Sequence, residues 1–150
     1  MSKITPCLWF DDRIEEAVNF YVSVFGDGKI LSMSRNGDKV FTAMFEIEGQ
    51  RFQALNGGPQ FKFNEAVSFS VRCETQAEVD YYWDKLTADG GQESQCGWLK
   101  DKFGLSWQIV PDALVKHLTD KDPARSGRAM QAMLKMRKID IAALDRAAEG

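Results

Sequence analysis

The sequence predicts an α+β fold, with paired βαβββ modules forming a curved mixed sheet around a cleft and a helical C-terminal tail. Three observations carry this reading. Strand alternation passes directly into helical period in Ile4–Gly26 and again in Ala66–Thr87. The two stretches align at a constant offset: Leu8 with Phe69, Phe10 with Val71, Val18 with Val79, Phe20 with Tyr81 and Tyr21 with Tyr82 are all 61 residues apart. Each copy later closes with a Gly, two residues, an aromatic and a Gln, at Gly49–Gln53 and Gly104–Gln108, there 55 residues apart. A strand–helix–strands module has therefore been duplicated, with a few residues lost from the second copy. The organisation expected is a duplicated domain over residues 1–111, with modules at 4–56 and 66–111. A helical extension over 112–150 then packs on that domain or on a dimer partner.

In Ile4–Asp11, Pro6, Leu8 and Phe10 share one face and Thr5, Cys7, Trp9 and Asp11 the other. Arg13–Phe25 places Ile14, Ala17, Val18, Tyr21, Val24 and Phe25 on one helical stripe. Asp11 or Asp12 can cap its start, and Gly26 and Gly28 end it. Lys29–Arg35 and Val40–Glu48 read as strands about an Asn36-Gly37 hairpin turn, with Phe41, Ala43, Phe45 and Ile47 on one face. Glu48-Gly49 turns the chain into a fourth strand, Arg51–Leu55. Asn56-Gly57-Gly58-Pro59 reads as the linker between modules.

Phe61–Phe63 reads as a short edge segment. Ala66–Arg72 alternates, with Val67, Phe69 and Val71 toward the core and Ala66, Ser68 and Ser70 away from it. Thr75–Asp89 is the second helix, opened by a Thr75/Glu78 capping box and stopped at Gly90-Gly91. Gln92–Leu99 and Leu105–Val110 are the remaining strands, joined through the Asp101–Gly104 turn. Beyond Pro111 come a short helix at Asp112–Leu118, a polar loop at Asp120–Ser126 and a helix at Arg128–Lys138. The apolar residues of that helix are Met130, Met133, Leu134 and Met136; its Lys135–Lys138 end forms a basic surface patch. Asp140 caps a last helix at Ile141–Ala148.

A chain of 150 residues can bury a sizeable core, and 44% hydrophobic with 27% charged residues is a globular composition. A net charge of −3 argues against nucleic-acid binding, which needs a basic footprint. No apolar run approaches the ~20 residues that span a bilayer. The N-terminus lacks a signal-peptide layout, so a cytoplasmic location is expected. Three cysteines, Cys7, Cys73 and Cys96, without a CxxC pair do not suggest a disulfide framework or a zinc knuckle. The one histidine, His117, lies beyond both modules and is expected to face solvent or end a helix.

Several segments together resemble a known family: Thr5–Phe10, Ala17–Tyr21, Ala66–Phe69, Cys96–Gly104, Ser106–Gln108, Ala132–Met136 and Lys138–Asp140. The sequence is similar to the vicinal oxygen chelate superfamily, which includes glyoxalase I, bleomycin-resistance proteins and extradiol dioxygenases. It is most similar to the PhnB-like branch, labelled 3-demethylubiquinone methyltransferase-type. The resemblance covers nearly the whole chain. It implies four metal-ligand positions in a cleft, which fall here on Thr5, Gln53, Ala66 and Gln108.

A stable transition-metal site wants imidazole, thiolate or carboxylate. A threonine, two neutral amides and an alanine supply none, so no metal is expected. The cleft-lining residues expected are Thr5, Cys7, Trp9, Gln53, Ser68, Ser70 and Gln108. Trp9 would offer a stacking face, and the amides and hydroxyls would orient a ligand. Two buried glutamines and two serines would be costly in an empty core, which favours a ligand over a collapsed cleft. Cys7 has no histidine beside it and is not expected to act as a nucleophile.

No Gly-rich strand-to-helix turn suited to S-adenosylmethionine occurs, so that cofactor enters only if the branch's methyltransferase label is right. The function expected is small-molecule binding by a homodimer without a transition-metal site. One alternative is an enzyme of the methyltransferase-labelled branch acting on a small aromatic or quinone-like substrate. Another is a dimeric scaffold with no ligand.

Overall fold

The two predicted periods resolve into a repeated unit in the computed structural model, which describes residues 2–150. One unit ends at Phe63 and the other runs from Asn64 to Gly150. The first contains β1 (Cys7–Phe10), α1 (Ile14–Val24), β2 (Lys29–Asn36), β3 (Lys39–Ile47) and β4 (Gln50–Asn56). The second contains β5 (Ser68–Cys73), α2 (Gln76–Thr87), β6 (Gln92–Glu93), β7 (Trp98–Lys100) and β8 (Ser106–Pro111). Three tail helices follow: α3 (Asp112–Leu118), α4 (Pro123–Met133) and α5 (Ile141–Glu149). The sheets have one topology, β1-β4-β3-β2 and β5-β8-β7-β6. In each the first strand runs parallel to the last and the other pairings are antiparallel. The fold is thus α+β, built on two open mixed sheets.

In the first unit the whole apolar stripe of α1 is buried, together with Leu8, Phe10, Phe45, Phe52 and Ala54. Tyr21 stacks on Phe45 at 6.0 Å, and Phe45 on Phe52 at 5.2 Å. Each of the larger aliphatic and phenylalanine side chains among these contributes about 1.5–3 kcal/mol on burial. Neither Asp11 nor Asp12 caps α1. The Ile14 N–H instead donates to Asn56 Oδ1 at 3.1 Å, so the cap comes from the end of β4. The β3–β4 turn is as predicted, with Glu48 (φ 48°) and Gly49 (φ 76°) both left-handed as a two-residue hairpin turn requires. The β2–β3 turn sits one residue later than expected. Asn36 pairs with Lys39, leaving Gly37 and Asp38 as the loop.

Phe41 departs from its expected face and is 53% exposed. Ser34 pairs with Thr42 and Arg35 with Val40, so Phe41 is an extra residue in the ladder. This bulge reverses the alternation and buries Val40 in its place.

In the second unit, the Glu78 N–H donates to Thr75 Oγ1, and Glu78 Oε1 accepts from the Glu74 N–H, closing the predicted capping box one residue early. Val67 is 63% exposed because Ala66-Val67 lies in a turn ahead of β5. Phe61–Phe63 forms no strand; Phe61 packs edge-on against Trp9 and Phe63 against Phe10. The predicted Gln92–Leu99 strand is broken at Cys96 (φ 59°) and Gly97 (φ 86°). There the two N–H groups donate to the carbonyls of Met136 and Arg137, each at 2.8 Å, and bind the tail.

The tail forms its own apolar cluster of Leu114, Ile139 and Leu144, with Val110, Met133 and Met136 against it. Helix α4 starts earlier than predicted, capped by Asp122, and stops at Met133. The Lys135–Lys138 stretch therefore lies after the helix, where Arg137 pairs with Glu93 and Lys138 with Asp80 at 2.9 Å. Asp140 caps α5 through the Ala143 N–H, as expected. His117 ends α3 but is buried, with Nε2 2.6 Å from Asp145 Oδ1. Among the described residues no helix is long and apolar enough to cross a membrane.

Candidate functional site

With Leu8 and Phe10 buried against α1, the strand period turns Cys7 and Trp9 to the opposite face of the first sheet. Register then sets their neighbours. Cys7 lies opposite Gln53 and Gln53 opposite Met44; Trp9 lies opposite Leu55 and Leu55 opposite Thr42. Gln53 and Cys7 are exposed, Trp9 is half-buried, and Thr5 is half-buried just ahead of β1. Partial burial pushes the Cys7 thiol up from its usual range, which disfavours a thiolate nucleophile. In the next row, Glu46 pairs with both Lys29 at 3.2 Å and Arg51 at 3.6 Å. The two rows around Trp9 carry no charge.

Trp9 is held on several sides. Its Nε1–H donates to the Gly58 carbonyl at 2.9 Å. Its six-membered ring sits so close over Gly57 that a Cβ there would lie 2.4 Å from Cε2 and Cζ2. Phe61 meets it at 5.0 Å with the ring planes 75° apart. The Gly57 and Gly58 N–H groups donate to the Phe10 and Asp11 carbonyls, so the start of the expected linker carries the parallel pairing on past the end of β1. The sequence reading missed Phe61, Leu55 and Gly57. The Gly-Gly-Pro signal, read as the linker between modules, also marks a close backbone approach to an aromatic ring.

In the second sheet, Ser68 lies opposite Ser106, and Ser70 opposite Gln108, which lies opposite Trp98. Gln108 Nε2 donates to Ser68 Oγ at 3.0 Å. Ser106 is 1% exposed and its Oγ has no hydrogen-bond partner among the described residues. Ala66, assigned by resemblance to a ligand position, lies in the turn before β5. The glutamines are not both buried as expected: Gln53 is exposed and Gln108 half-buried.

Cys7 pairs with Gln53, whereas Ser70, not Ser68, pairs with Gln108. The repeat has thus slipped by two residues along its first strand. An even slip leaves every side chain on its original face. An open hollow of about 560 Å³ beside Ser70 is lined by Arg72, Val110, Asp112, Val115 and Lys116. Arg72 there makes a two-pronged ion pair with Asp112, at 2.7 and 2.9 Å, which holds the carboxyl below its usual range.

Among the described residues no three His, Cys, Asp or Glu side chains gather as a metal site would need.

The profile of the 3-demethylubiquinone-9 3-methyltransferase family matches residues 2–110. A PhnB protein from Bacillus cereus is 35% identical, with a TM-score of 0.68 over 73% of this chain and 99% of that one. A Pseudomonas aeruginosa protein shares the fold at 21% identity and a TM-score of 0.60, over 75% and 100% of the two chains. So does the fosfomycin resistance protein FosX from Listeria monocytogenes, at 15% identity and a TM-score of 0.55, over 73% and 89%. No curated protein matches the chain. Doubled βαβββ topology, the family profile and the Bacillus relative converge: the chain belongs to the PhnB-like, 3-demethylubiquinone-9 3-methyltransferase-like family.

Proposed function

We propose that this protein binds a small organic molecule without a resident transition metal, and that it does so as a homodimer. The observation that carries the reading is the uncharged face around Trp9, where an anchored indole, an exposed amide and a thioether lie side by side. Thr5 and the Gln53 and Gln108 amides are weak neutral donors, and Ala66 is none. This donor set does not fit Zn²⁺, Ni²⁺ or Fe²⁺. The half-exposed Met130 and Leu134 of the tail support self-association.

S-adenosylmethionine does not fit the strand-to-helix turns either. These carry Asp11, Asp12 and Arg13 in the first unit and Glu74 and Thr75 in the second, with no glycine to admit a ligand against backbone.

A thermal-shift screen of small organic molecules, with S-adenosylmethionine included, tests the reading. Stabilisation by an organic ligand in metal-free buffer is expected. Stabilisation by S-adenosylmethionine alone favours methyl transfer, and no stabilisation at all favours a scaffold. Stoichiometric metal in the purified protein, or a monomeric mass at micromolar concentration, overturns the corresponding part.

A further inference from the structure

The indole of Trp9 is immobilised to a degree that packing of the first unit does not require. It lies on the face of the sheet away from α1, yet it is fixed by a hydrogen bond, by contact with a bare backbone and by an aromatic neighbour. The neighbour, Phe61, is itself 65% exposed. Two rings meeting at 75° form a corner with aromatic walls on two sides. A side chain that keeps its rotamer before binding loses little entropy on binding, which is how preorganised sites gain affinity.

The surroundings define what the corner can hold. Leu55 and Thr42 continue the Trp9 row, and Cys7, Gln53 and Met44 form the next. Asp11 follows Trp9 by two residues and Lys39 precedes Thr42 by three, while the charged row of Arg51 with Glu46 begins about 13 Å along the strand from Leu55, at about 3.3 Å per residue. Its charges are engaged with one another and with Lys29. Gln53 stands two residues from Leu55, about 7 Å along the strand, within reach of a substituent on a ring stacked at Trp9.

We infer that Trp9 and Phe61 recognise a flat, uncharged aromatic ring bearing a hydrogen-bonding substituent, with Gly57 as the positioning residue that seats the indole. This rests on the small-molecule reading above and names the ligand class for that site. The backbone at Gly57 is not left-handed, and the three nearest atoms that an alanine Cβ would meet all belong to the indole, which must move aside.

The test uses the full-length protein and three probes: 2-naphthol, its saturated counterpart decahydro-2-naphthol, and naphthalene-2-sulfonate. Binding is measured by calorimetry. The Trp9 indole N–H resonance, assigned by its loss in Trp9→Phe, is followed by NMR. The inference expects 2-naphthol to bind about ten times tighter than either counterpart, as a ring contact of roughly 1–1.5 kcal/mol gives. It expects the Trp9 resonance to shift with saturation. Phe61→Ala, a change at an exposed position, and Gly57→Ala should each weaken 2-naphthol about tenfold, and Gly57→Ala should move the Trp9 resonance before any probe is added.

Equal binding of the flat and saturated probes overturns the inference. So does 2-naphthol affinity that is unchanged in both variants; either result leaves the small-molecule reading standing. If none of the probes binds while the wider screen yields a ligand, the ligand class alone is wrong. If the screen also yields none, both fall.

Discussion

Asn56 shows how one side chain can couple three elements. Its Oδ1 accepts from the Ile14 N–H at the start of α1, and its Nδ2 donates to the Val40 carbonyl of β3 at 2.8 Å. Asn56→Ala removes both bonds and leaves two half-buried backbone groups unpaired. A loss of about 1–2 kcal/mol is expected, read as a lower urea midpoint with unchanged slope. Asn56→Asp keeps the acceptor and loses the donor, so it should fall between wild type and alanine. Local sequence could not reveal this cap, because it lies 42 residues from the helix it serves and wears the dress of a turn residue. Thr75 and Asp140, whose caps are local, were legible. So was the outward face of Trp9, from alternation alone; the clamp around it was not, since it depends on where Gly57 and Phe61 come to lie.

The chain from Met136 to Ile141 straps the tail to α2 and to the break between β6 and β7. Gln76 uses both ends of its amide here: Nε2 donates to the Ile139 carbonyl at 3.0 Å, and Oε1 accepts from the Ile141 N–H at 2.9 Å. Replacing Gln76 with leucine should speed amide exchange across α5 while leaving β3 and β4 protected, as hydrogen-exchange mass spectrometry would show. The strap is also linked to pH. Hydrogen bonds from Lys138 and Gln76 hold the Asp80 carboxyl below its usual range. A carboxyl lowered by folding stabilises the native state fully above its unfolded pKa of about 4, and the contribution fades as pH falls through the folded value. Protection of α5 should therefore drop at acid pH in wild type and lose that dependence in Asp80→Asn. The effect is small, because both partners are largely solvated. Element types were legible wherever one period ran unbroken. At Phe41 an extra residue in the ladder reversed the face but not the strand, and at Cys96 left-handed backbone interrupted the strand itself.

At the scale of the molecule, duplication was the most readable feature, because both copies keep the same order of strands and each buries one stripe of its helix. The two-residue slip between them was invisible to any comparison of faces. The second unit holds its own sheet, helix and apolar tail cluster. Residues 64–150 expressed alone should give a cooperative thermal transition with near-ultraviolet dichroism from Trp83, Trp98 and Trp107; a featureless spectrum would show that this unit needs the other. The parallel pairing of first strand with last has a consequence for synthesis. As the nascent chain leaves the ribosome, β2 and β3 can zip together at once, but Leu8 and Phe10 have no ladder to join until Gln53–Asn56 has emerged. Each module is therefore a clasp whose hook is translated first and whose eye is translated last. A stall between the two would present an unpaired apolar strand to chaperones, twice in every round of translation.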